Sequence, residues 1–101
     1  MKFYTPLYVS PRIGKRQEKK ILRAFKKRNP ILGIYCLCDR KDSSHLLEIM
    51  TMEELFRGYY QLDHVLVLGF AKEKEEMFVT VKKLVENGYI TEIGVKGIKN
   101  R

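Results

Sequence analysis

The chain is expected to form one small α/β domain, a mixed β-sheet packed by two main helices. Three observations carry this expectation. Short apolar or alternating runs of strand length recur along the chain, as in "ILGIYCLC" and "HVLVLGFA". Between them lie segments with helical periodicity and start and stop signals. At 101 residues and 45% hydrophobic content there is material for one core and no second one.

The elements follow in order. "FYTPLYV" (3–9) alternates, with Phe3, Thr5, Leu7 and Val9 on one side and Tyr4, Pro6 and Tyr8 on the other, so it reads as a strand. Pro6 has no N–H for a ladder, which puts that strand at an edge or bulges it. "SPRIGKRQEKKILRAFKKRNP" reads as a helix capped by Ser10 with Pro11 in its first turn, ended by Asn29-Pro30. Its apolar stripe is narrow: Ile21, Leu22 and Phe25, extended by Ile13 and the stem of Arg28. "ILGIYCLC" (31–38) reads as a buried strand, "DRKDSS" as a polar turn, and "HLLEIM" (45–50) as a second strand, the two pairing as an antiparallel hairpin. Thr51 and Glu54 have the spacing of a capping box opening a short helix from Met52 to about Tyr60.

"HVLVLGFA" (64–71) is the most apolar segment and reads as a central strand. "KEKEEMFVTVKKLVENG" reads as a helix with Met77, Phe78, Val81, Leu84 and Val85 on its core face and Gly88 after its end. "YITEIGV" is assigned as a last, short strand. The order is β-α-β-β-α-β-α with that final strand. Helices between strands favour parallel crossovers and the hairpin adds an antiparallel pair, hence the mixed sheet. Both a ferredoxin-like layer with an inserted helix and a variant of a doubly wound layer fit this order.

Charge is the strongest functional signal. The net charge is +8, but residues 1–45 hold twelve Lys/Arg against three Asp/Glu, while residues 46–101 hold eight against nine. The excess sits mostly on the first helix, where Arg12, Lys15, Arg16, Lys19, Lys20, Arg23, Lys26, Lys27 and Arg28 face a single acid, Glu18. Like charges at i,i+4, such as Lys15/Lys19 and Lys19/Arg23, each cost a few tenths of a kcal/mol. Such a charge run can be a plain solvated face, but such faces usually mix signs, so a helix that tolerates several like-charge pairs is expected to answer to an acidic partner. Nucleic acid, an acidic protein and an anionic membrane surface all supply such charge. The narrow apolar stripe, needed for the core, argues against the membrane. The expected binding residues are Arg12, Lys15, Arg16, Lys19, Lys20, Arg23, Lys26 and Lys27, with Tyr4 and Tyr8 expected beside the basic helix, as sheet cover, dimer contact or base-stacking surface.

The other constellations carry little chemistry. Cys36 and Cys38, near Asp39 and His45, are spaced by one residue and have no second pair, unlike structural zinc sites. Neither a Cys-x-x-Cys redox pair nor a Gly-x-x-x-x-Gly-Lys-Ser/Thr phosphate loop is present, the latter failing at Val9 and Arg16. Glu53-Glu54 serves a helix start, and Asp63-His64 lacks a nucleophile. No cofactor is implied. The start of the chain lacks an apolar leader with a cleavage site, and no apolar run approaches the roughly 20 residues of a membrane span, so a cytoplasmic protein with reduced thiols is expected. Two further functional readings stand beside the non-enzymatic binding module. One is an assembly protein that self-associates through a sheet edge; the other is a thiol enzyme using Cys36 or Cys38.

The opening "FYTPLYVS", the lysine-rich first helix, "HLLEI", and "VLVLGFAKEKEE" leading into "LVENGY" together resemble a family of short bacterial α/β proteins of the Firmicutes type. The resemblance implies the same small α/β fold and a bacterial cytoplasm. It implies no activity, cofactor or catalytic residue.

Overall fold

The computed structural model describes residues 2–40, 47–57, 64–86 and 98–100. Among them the order is β1 (Lys2–Val9), α1 (Lys15–Lys27), β2 (Tyr35–Arg40), β3 (Leu47–Thr51), α2 (Met52–Arg57), β4 (Val65–Ala71), α3 (Glu76–Glu86) and β5 (Ile98–Asn100). The five strands form one sheet in the order β1-β4-β2-β3-β5. β1/β4 and β3/β5 are parallel, and β2 runs antiparallel to both of its neighbours. The expected mixed sheet, the β2–β3 hairpin and the interior position of the fourth strand are all present.

Both faces of the sheet are covered. On one, Ile21, Ala24 and Phe25 of α1 and Met52 and Leu55 of α2 pack on Cys36, Cys38, Met50, Val65, Val67 and Phe70. On the other, Met77, Val81 and Leu84 of α3 pack on Leu37, Leu47, Ile49, Leu68 and Ala71. The alternation along each strand sends its residues to these two cores in turn. β4 changes phase once: Cys38 pairs with Val67 and Leu37 with Gly69, so Leu68 is the extra residue of a bulge. Helices on both faces match the doubly wound alternative rather than a layer covered on one side.

β1 is an edge strand, and its pairing with β4 slips between Phe3 and Tyr8, the interval that holds Pro6. This is where a residue without an N–H is tolerated. Gly69 explains how closely the two strands approach: a Cβ there would run into the Tyr8 carbonyl oxygen.

Several local expectations are corrected. Ser10 does not cap α1. Its carbonyl accepts the Ile13 N–H (2.9 Å) and its Oγ accepts the Arg12 N–H (3.2 Å), making a separate turn, and the helix starts at Lys15 with Gly14 as an N-cap that offers no side chain. At the other end Arg28 is left-handed (φ 55°). The N–H groups of Arg28 and Asn29 return to the carbonyls of Phe25 (3.2 Å) and Ala24 (3.0 Å), a Schellman ending built without glycine.

β2 begins at Tyr35 rather than Ile31 because Leu32-Gly33 turns, with Gly33 at φ 80° and Leu32 73% exposed. Asp39 and Arg40 continue that strand instead of opening the turn. Phe78 and Val85 are exposed, 48% and 38%, and Thr80 takes the core position, so the buried face of α3 is rotated from the expected one. The last strand is Ile98–Asn100, beyond "YITEIGV", which lies outside the described residues. The Thr51–Glu54 capping box forms as read. Glu54 N–H donates to Thr51 Oγ1 (3.1 Å) and Thr51 N–H to Glu54 Oε1 (3.2 Å).

Candidate functional site

The basic helix buries only Ile21, Ala24 and Phe25, with Gln17, Glu18 and Leu22 half-buried. Phe25 is the anchor. Its ring stacks on Phe70 (5.1 Å) and meets Phe3 (5.3 Å) and Phe56 (5.4 Å) edge-on. That fixes the rotation of α1, and Lys15, Arg16, Lys19, Lys20, Arg23, Lys26 and Lys27 are all exposed. Among the described residues none of these seven enters an ion pair.

Geometry turns these charges into a track. Lys15, Lys19, Arg23 and Lys27 follow one another at i,i+4, rising about 6 Å per step along the helix. Lys20, Arg23 and Lys27 also line an open groove of about 340 Å³ together with Ala24, Asn29, Pro30 and Ile31. The start of α1 is electrostatically unfavourable for a helix standing alone. Lys15 and Arg16 place positive charge at the positive end of the dipole against one acid of the first turn, Glu18, and Gly14 supplies no capping oxygen. An anion there would meet free backbone N–H groups and two cations.

Arg12, grouped with these cations from the sequence, is placed elsewhere. It stands in the Ser10–Ile13 turn, and its Nη1 donates to Glu73 Oε1 (2.8 Å) and lies 3.5 Å from Glu76 Oε1, at the start of α3. The Glu73 hydrogen bond, then the charges of both carboxylates, raise its pKa beyond the ordinary arginine value. Tyr4 and Tyr8 are also not beside the basic helix. They stack on each other (6.4 Å, 13° between planes) against the core under α3, on the side of β1 away from α1.

The cysteines lie in the core, fully buried. Burial pushes the Cys36 thiol well up. Burial, the Glu48 charge and Asp39 push the Cys38 thiol up to about 12, against a downward pull from Arg40. A reactive thiolate needs the opposite environment. Among the described residues no three His, Cys, Asp or Glu side chains converge as a metal site, and His45 is not one of those residues. Beside Cys38, Arg40 Nη2 and Nε reach Glu48 Oε1 at 2.8 and 2.9 Å, inside a region where Glu48 is fully buried.

Sequence reading missed a second feature, a crevice of about 290 Å³ between the end of β1 and α3, lined by residues including Ser10, Arg12, Glu76 and Lys83. It depends on α1 and α3 leaving parallel neighbouring strands towards opposite faces, which no local pattern shows. No helix among the described residues is long and apolar enough to cross a membrane. No protein-family model, curated protein or solved structure matches the chain.

Proposed function

We propose that this protein is a non-enzymatic binding module of the bacterial cytoplasm. It engages a polyanion, the phosphate backbone of nucleic acid, along α1. The observation that carries the reading is the row of exposed α1 cations, with no ion pairs among the described residues, on a helix whose own stability would be better served by mixed charge. Lys15, Arg16, Lys19, Lys20, Arg23, Lys26 and Lys27 supply the charge, and Arg12, held by Glu73 and Glu76, is not among them. Contacts of this kind follow the backbone and carry no base sequence.

The test is fluorescence anisotropy of a labelled duplex and a labelled single strand with the wild type and an Arg16→Glu/Arg23→Glu/Lys26→Glu variant. Binding lost in the variant with its melting temperature kept or raised supports the reading. Binding and melting temperature lost together would assign these residues to the fold. Self-association through the β1 edge is the competing reading, and a concentration-dependent mass without nucleic-acid binding would favour it.

A further inference from the structure

We infer that the crevice between β1 and α3 is a binding site for a small zwitterion, an α-amino acid with an apolar side chain. Its position comes first. β1 and β4 are adjacent and parallel, α1 follows β1 onto one face, and α3 follows β4 onto the other. In open α/β sheets such a divergence leaves a crevice outside the carboxyl ends of the two strands, and ligands bind there. Here the crevice lies beside the carboxyl end of β1, lined by Tyr8 to Arg12 and by α3, with no residue of β4 in its lining.

Its chemistry selects the ligand. Tyr8, Val9, Pro11 and Val79 form an apolar wall. Against it stand an arginine and a carboxylate side by side, Arg12 and Glu76, with Lys83 two turns further along α3. Adjacent positive and negative groups complement the adjacent carboxylate and ammonium of an α-amino acid. The pair is incompletely satisfied as it stands. The Arg12–Glu76 contact is long (3.5 Å), and Glu76 Oε2 has no hydrogen-bond partner among the described residues.

A carboxylate with one unpartnered oxygen can turn it towards a ligand that brings a donor. The ammonium would go to Glu76, the carboxylate to Arg12 and Lys83, and the side chain to the apolar wall. Arg12 keeps its 2.8 Å bond to Glu73 through Nη1, and its side chain is 60% exposed, so its other N–H groups can meet the ligand carboxylate. Glu73 and Glu76 at the same end disfavour a phosphate dianion. At about 290 Å³ the crevice is at the small end of ligand-site volumes, which suits a ligand of amino-acid size.

The experiment is amide chemical-shift titration of the full chain with L-leucine, L-phenylalanine, their N-acetyl derivatives and inorganic phosphate. Saturable shifts at Ser10, Arg12, Val79, Thr80 and Lys83 in the millimolar range are expected from the free amino acids. The N-acetyl forms should bind at least tenfold more weakly, and Glu76→Gln should weaken the free amino acids by a similar factor. Val79→Trp, at an exposed helical position, should abolish the shifts by filling the crevice, which keeps the test decisive if Glu76→Gln fails to fold. Equal binding of free and N-acetyl forms, shifts from phosphate alone, or no shifts at 20 mM would each overturn the inference. Loss of nucleic-acid binding by α1 would leave it standing, since α1 lines none of this crevice.

Discussion

Replacing Lys19 and Lys27 together by glutamate should make the protein more stable and less able to bind nucleic acid. On the row Lys15, Lys19, Arg23, Lys27 every i,i+4 neighbour is now a like-charge pair. The double change makes all three pairs attractive while leaving the core residues Ile21, Ala24 and Phe25 untouched. Each pair swings from a cost to a gain of about 0.2–0.5 kcal/mol, so the row gains roughly 1–3 kcal/mol. A glutamate at position 27 faces the negative end of the helix dipole and gives back about 0.3–1 kcal/mol.

The net expectation is about 1 kcal/mol of added stability, read as a rise of roughly 4–8 °C in melting temperature for a domain of this size. The same variant removes two phosphate contacts and introduces two repulsive charges. Its duplex affinity should collapse, and any residual salt slope should be shallower by about 2, at about 0.9 per lost contact. Calorimetry and anisotropy on the same preparations decide it. A fall in melting temperature, or binding with an unchanged salt slope, would refute the idea that these cations are kept for a partner at the expense of the helix.

Three other outcomes follow from the fold. Gly69→Ala should destabilise by about 1–3 kcal/mol or more in urea unfolding, because the new methyl meets the β1 backbone at Tyr8 rather than a side chain that can turn away. Arg28→Gly should stabilise by about 0.5–1 kcal/mol by relieving the left-handed strain at the end of α1, with Arg28→Ala as the control that keeps the strain; a loss of stability would contradict the Schellman ending. Cys36 and Cys38 should resist alkylation until the protein unfolds. A thiol whose folded pKa lies near 12, against an ordinary value of 9.0, binds its proton more tightly when folded. Its contribution is therefore intact below about pH 9 and lost as pH rises towards 12. Cys38→Ala should shift the alkaline unfolding midpoint upward, and no shift would show that another group governs it.

Legibility in the sequence followed the range of the interactions. Local chemistry read well. Thr51 and Glu54 are three residues apart and made their box, Pro6 marked the edge strand and its irregular pairing, and the i,i+2 placement of Ile34, Cys36 and Cys38 put all three in one core. Where two signals competed, the backbone requirement of a glycine decided the structure. Ser10-Pro11 has the composition of a helix start, yet its turn ends before Gly14, and Gly33 breaks an apolar run that looked continuous. Apolarity alone also overstated the buried face of α3, where Phe78 is exposed and Thr80 is covered by packing that periodicity does not weigh.

At the candidate site the seven cations of α1 were legible because exposure follows from the narrowness of the stripe. The removal of Arg12 to Glu73 and Glu76 was not, since those residues are more than sixty positions away. Nor was the face on which Tyr4 and Tyr8 lie, which depends on which side of the sheet each helix takes.

The salt dependence of duplex binding tests the α1 track most directly. Four to six backbone contacts drawn from Lys15, Arg16, Lys19, Lys20, Arg23, Lys26 and Lys27 should give a slope of log affinity against log salt between about −3.5 and −5.5. A slope in that range, flattened by charge reversal on α1, would place phosphates on this helix. A slope shallower than about −1, or no binding at low salt, would contradict a polyanion partner and leave the α1 charge without one.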